Sequence, residues 1–260
     1  MRSFCGPLTL AFVVLVPTSL TAAPRLRVGY ETGPAYVAQN DGRYGESGTE
    51  YDAGDVGQQK TLARVERAFI ELGSGRHQLI LTYIPFELRT RVALQRELRF
   101  RSTIFPAGTV VDHRYLFDGT RASYLYELFG AGAPWLFQVG ASFQIRSADV
   151  AFSAADGSLH AAEDDIGPVG ALKLRLTYSP TPDCAWARLD ADAISTFGLI
   201  GDTTGGLYDV ALVLGLPVHD RFDLTFTTRV YGGGADVPDR NFKNWGTFLS
   251  ATAGIVFTLP

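Results

Sequence analysis

The chain has 260 residues, with 23 Lys and Arg against 27 Asp and Glu, and a net charge of −4 excludes a basic nucleic-acid binder. With 46% apolar and 19% charged residues it is neither a disordered tail nor a polytopic helical membrane protein. Its 28 Gly and 12% aromatic content, without a long helical pattern, point to an all-β chain.

Residues 1–23 have the layout of a secretory signal peptide: Arg2 in a short n-region, an apolar run from Leu8 to Val16, and small residues from Ser19 to Ala23. The apolar run is too short to span a membrane as a helix, and cleavage is expected beside Ala22 or Ala23. Removing it takes away one Arg and Cys5. That leaves 22 basic residues against 27 acidic, a net of −5, and Cys184 as the single cysteine, so no intrachain disulfide is expected. The mature chain, 24–260, is expected to be one domain.

Ten candidate strands follow, at roughly 25–33, 61–72, 77–88, 110–129, 135–152, 166–179, 186–199, 206–217, 222–233 and 246–259. Period-two alternation defines them. Trp135, Phe137, Val139, Ala141, Phe143 and Ile145 share one face, opposite Leu136, Gln138, Gly140, Ser142, Gln144 and Arg146. Leu172, Leu174, Leu176 and Tyr178 alternate with Lys173, Arg175 and Thr177, and Ala187, Leu189 and Ala191 alternate with Arg188, Asp190 and Asp192. The same rule holds for Tyr208–Leu216, Phe222–Val230 and Leu249–Phe257. Segments this long suit a membrane-spanning barrel, where the apolar faces meet lipid and the polar faces line the lumen, better than a soluble sandwich. Phe129, Trp135, Tyr178 and Trp186 sit at strand ends as an interfacial girdle would. Short links (73–76, 130–134, 180–185, 218–221) alternate with longer ones, including 34–60 and 89–109. The fold class is therefore an antiparallel up-and-down transmembrane β-barrel of about ten strands.

The last strand carries Thr252-x-Gly254-x-x-Phe257-x-Leu259, which resembles the assembly signal of bacterial outer-membrane barrels, except that Pro260 stands where a final aromatic is usual. Through this motif and the strand pattern, the whole mature chain resembles that superfamily. The resemblance implies a Gram-negative outer-membrane location, lipopolysaccharide and outer-membrane lipids as neighbours, and the barrel-assembly machinery as a partner during insertion.

With apolar faces outward, Glu31, Arg67, Glu71, Arg121, Glu127, Arg146, Lys173, Arg175, Arg188, Asp190, Asp192, Asp209, Asp223 and Arg229 point into the lumen. A narrow barrel with both signs interleaved is expected to fill with ion pairs; a narrow pore for small polar solutes is the alternative. His77, His113, His160 and His219 lack metal-ligand spacing, so neither metal nor cofactor is expected. Gly232-Gly233-Gly234 reads as a loop, and no Gly-x-Ser-x-Gly string occurs. Ten strands and the Asp112-His113 dipeptide resemble the omptin family of outer-membrane proteases, which would imply a hydrolase with a rim site. The family's second acidic pair is not identifiable in this sequence, so no catalytic residue is assigned. Arg89, Arg91, Arg96, Arg99 and Arg101 are expected on an extended hairpin suited to binding phosphate, and the acidic, Gly-rich first loop is expected to be mobile. The leading expectation is a barrel with a structural or surface-interaction role and a charged, plugged lumen.

Overall fold

The structure, a computed structural model, describes residues 24–130, 132–181, 183–197, 199 and 201–259. The signal peptide expected at 1–23 lies outside the described residues. The strands, in chain order, are β1 (Arg25–Arg43), β2 (Ala63–Ser74), β3 (His77–Ile84), β4 (Glu87–Ala93), β5 (Leu98–Phe100), β6 (Thr103–Phe105), β7 (Val110–Phe129), β8 (Trp135–Ala154), β9 (His160–Tyr178), β10 (Trp186–Ser195), β11 (Thr204–His219), β12 (Phe222–Val237) and β13 (Phe242–Leu259). The wall strands pair antiparallel, in chain order except where β3 passes to β7, and β1 pairs with β13 from Leu26↔Leu259 to Arg43↔Lys243. That last pairing closes the sheet into a ten-stranded barrel and leaves no open first or last edge.

β3 and β4 together fill one place in the wall, since both pair with β7. The expected strand 77–88 is therefore broken. Pro85 has no N–H to give to the ladder, and Phe86 N–H turns instead to the Asp118 carboxylate at 3.2 Å. The short β5–β6 hairpin stands apart from the barrel sheet.

Outward positions form an apolar band: Leu79 and Leu81 on β3, Phe143 and Ile145 on β8, Leu172 and Leu174 on β9, Leu212 and Leu214 on β11, and Phe226 on β12 are all exposed. A continuous apolar surface of this kind is what lipid contact requires. Trp135 and Tyr178 pack at 4.6 Å, tilted by 44°, at its short-turn edge, as a girdle should. Trp186 does not join them. Its neighbour Ala187 is the register partner of Tyr178, so alternation turns Trp186 inward, over Gly215. A Cβ on Gly215 would lie 2.0 Å from the Trp186 ring, so only glycine admits the indole there.

Several strands outrun their expected bounds. β7 and β8 each have 20 residues, which at ~3.3 Å per residue and ~40° tilt rise about 50 Å, roughly twice the thickness of an apolar band. β9 begins at His160, so the expected loop 153–165 shrinks to 155–159, whereas β10 stops at Ser195 rather than 199. β1 continues through Pro34 to Arg43. The Gly232–Gly234 run is not a loop: it pairs with both β11 and β13. The backbones approach so closely there that a Cβ on Gly234 would lie 1.9 Å from the Asn244 carbonyl oxygen.

Candidate functional site: the barrel interior

Alternation sends every second side chain inward, and the interior they fill has two tiers. In the half nearer the short turns it is charged. On the neighbouring strands β9 and β10, Arg175 and Lys173 are register partners of Asp190 and Asp192. Arg175 Nε donates to Asp190 Oδ1 at 2.6 Å, and Lys173 Nζ donates to Asp192 Oδ2 at 2.7 Å. Across the lumen, Arg175 and Arg188 reach Glu71 on β2 at 3.1 and 3.5 Å. Arg188 Nε also lies 2.9 Å from Asp190 Oδ2, without the alignment of a hydrogen bond.

A second group sits deeper. Arg121 Nη1 bridges Asp192 and Asp209 at 3.1 and 2.8 Å, and its Nε and Nη2 donate to Gln144. Arg229 bridges Asp209 at 2.8 Å and Glu31 at 3.3 Å, and Arg67 lies 3.5 Å from Glu31. Ser142 and Thr227 hydroxyls donate to Asp192 and Glu31. These contacts join six cationic side chains, Arg67, Arg121, Lys173, Arg175, Arg188 and Arg229, to five carboxylates, Glu31, Glu71, Asp190, Asp192 and Asp209. At the short-turn mouth, Arg27 pairs with Asp223 at 3.1 Å, and Arg27 and Arg188 both lie on the Trp186 ring. Glu127 lines the vestibule of about 780 Å³ there. Arg146, expected in the lumen, lies on the Phe117 ring at 5.2 Å.

Toward the long loops the inward face turns apolar, which the sequence reading missed. Val37, Phe86, Val111, Tyr115, Phe152, Tyr231 and Phe248 are buried. Phe248 packs on Phe86 at 5.0 Å and Tyr231 at 5.3 Å. Above them, the first loop and the β5–β6 hairpin fold inward as a cap. Tyr51 meets Phe152 at 5.3 Å, Phe100 meets Phe152 at 5.1 Å, and Tyr44 meets Phe100 at 4.7 Å. Gly42 and Tyr51 exchange backbone hydrogen bonds, Thr49 N–H donates to the Arg99 carbonyl, and Arg101 N–H donates to the Tyr44 carbonyl. The loop expected to be mobile is thus tied down, because Tyr51, Val56 and Gln58 carry it into the apolar tier. The signal lay in the expected link 89–109, where Leu94, Leu98, Phe100 and Phe105 are apolar and all buried.

The five arginines of the expected hairpin do not share a face. Arg89 and Arg91 point outward from β4, toward Glu87 and Asp112. Arg96 reaches Asp55, Arg99 reaches Ser47, and Arg101 pairs with Glu163. Asp112 and His113 are separated by the wall. Asp112 faces out to Arg91, while His113 is buried inside against Phe152, with Gln58 3.3 Å from its Nδ1. Among the described residues no cluster of His, Cys, Asp and Glu could hold a metal ion.

No family model and no curated protein matches the chain. Among solved structures it is similar to Ail, the attachment invasion locus protein of Yersinia pestis, in complex with the heparin analogue sucrose octasulfate: 8% identity over 90% of this chain and 99% of that one, TM-score 0.40. It is similar to a Pseudomonas aeruginosa FadL homologue at 10% identity, covering 90% and 88%, TM-score 0.36. It is also similar to Neisserial surface protein A at 13% identity, covering 90% and 96%, TM-score 0.33. These neighbours are outer-membrane β-barrel proteins.

Proposed function

We infer that the protein is exported to a Gram-negative outer membrane and works there as a closed, non-conducting barrel that acts through its folded outer face. The observation that carries this reading is the continuous filling of the lumen. Buried ion pairs from Glu71 up to Glu31 give way to the aromatic tier at Tyr231 and Phe248, and the first loop and the β5–β6 hairpin cover the end. The cavity between the tiers holds about 30 Å³, too little for a sugar or an amino acid. The short turns then face the periplasm and the cap faces outward, with lipopolysaccharide as the surrounding lipid and the barrel-assembly machinery as the partner on insertion.

Liposome swelling tests this. Vesicles carrying folded protein should stay as impermeable to arabinose as protein-free vesicles. Swelling that scales with the amount of barrel would refute the closed reading.

A further inference from the structure

Where the charged tier meets the aromatic tier, the small central cavity of about 30 Å³ is lined by Arg67, Arg121, Arg229, Tyr231 and Thr252. Three buried polar atoms without a partner belong to these lining residues: Arg67 Nε, Tyr231 OH and Thr252 Oγ1. Arg67 Nε is a donor only, and the two hydroxyls are free to donate. Glu31 and Asp209 line the cavity as well, but both are already neutralised, Glu31 by Arg67 and Arg229, and Asp209 by Arg121 and Arg229. Glu66 also borders the cavity, but its carboxylate turns outward to Arg64 and Tyr30.

The buried ion-pair set holds one more cation than carboxylate, and an uncompensated buried charge is costly. Unmet donors, a surplus positive charge and room for one small occupant coincide at one place. We propose that this cavity binds a monatomic anion, a halide such as chloride, held by Arg67 Nε, Tyr231 OH and Thr252 Oγ1. Water fits the same space, but it brings no charge to offset the surplus guanidinium. The site stands whether or not the lumen conducts, so its test is independent of the swelling result.

The test is thermal unfolding of the folded mature protein in detergent, with sodium gluconate replaced by sodium chloride or bromide at constant ionic strength. The halides should raise the melting temperature by roughly 3 °C. Tyr231→Phe and Thr252→Val should fold, since each deletes an unpartnered hydroxyl, and each should lose most of the halide-dependent shift. Crystals grown in bromide should show an anomalous peak within hydrogen-bonding distance of both hydroxyls. Equal melting in gluconate and halide would overturn the proposal. A halide shift fully retained in both variants would overturn it as well, because it would mark adventitious surface binding, and so would a cavity peak without anomalous signal, because it would mark water.

Discussion

Arg175 and Asp190 face each other across the β9–β10 ladder as register partners, and the guanidinium Nε donates to the carboxylate at 2.6 Å. Both are buried, and Arg175 also holds Glu71 on the far side of the barrel. Removing Asp190 alone leaves Arg175 and Arg188 without their nearest counter-charge. Asp190→Ala should therefore destabilise the folded barrel by ~3–5 kcal/mol. The double variant Asp190→Leu with Arg175→Met should recover most of that loss. Urea unfolding in detergent checks both, and equal stabilities for the two variants would count against the pairing.

Phe248 is the hub of the apolar tier, in ring contact with Phe86, Tyr115, Phe117 and Tyr231. Phe248→Ala should cost ~3–5 kcal/mol. It should also loosen the cap, so that trypsin cuts the hairpin at Arg96, Arg99 or Arg101 in the variant and spares the native protein. Hairpin resistance unchanged in a destabilised Phe248→Ala would show that the cap does not depend on this tier.

Tyr44 and Tyr51 lie in the first loop, outside the spanning strands, and burial raises both hydroxyls above the usual tyrosine range. A raised folded value means the contribution to stability is complete below the unfolded value, about 10, and is lost as pH climbs beyond it. The near-UV signal of the cap should fade above pH 10 while the barrel backbone persists. Tyr44→Phe with Tyr51→Phe should lack much of this alkaline transition; an identical transition in that variant would assign it to other groups.

The native Cys184 is exposed in the 179–185 turn, and Ser158 lies in the 155–159 turn at the opposite end. A membrane-impermeant maleimide applied to intact cells should label Ser158→Cys, made in a Cys184→Ser background, and leave native Cys184 unlabelled until the outer membrane is permeabilised. The reverse pattern would invert the proposed orientation.

Most of the wall was legible because one alternation rule governs it. In the membrane band the apolar side must face out, so Lys173, Arg175, Asp190 and Asp192 could be placed inside from the sequence alone. The rule fails above the band. There the inward face of β8 turns apolar, with Val150 and Phe152 in the apolar tier and the cap packing on Phe152 through Tyr51 and Phe100. The sequence of the cap looks like a mobile loop because Gly and acidic residues in 41–57 mask the buried Tyr44, Tyr51 and Val56. Trp186 went astray by one residue, which in a strand is the difference between lipid and lumen. The arginine cluster is compact in sequence, but alternation along β4 points Arg89 and Arg91 outward, while the β5–β6 hairpin brings Arg101 to Glu163 on β9.

The most direct test of the closed lumen is single-channel conductance of the refolded mature protein in a planar bilayer, with insertion verified independently. The native barrel should be silent, and a variant lacking the β5–β6 hairpin together with Phe248→Ala and Asp190→Ala should show discrete openings. Stable, discrete openings of the native protein would contradict the account and make it a channel.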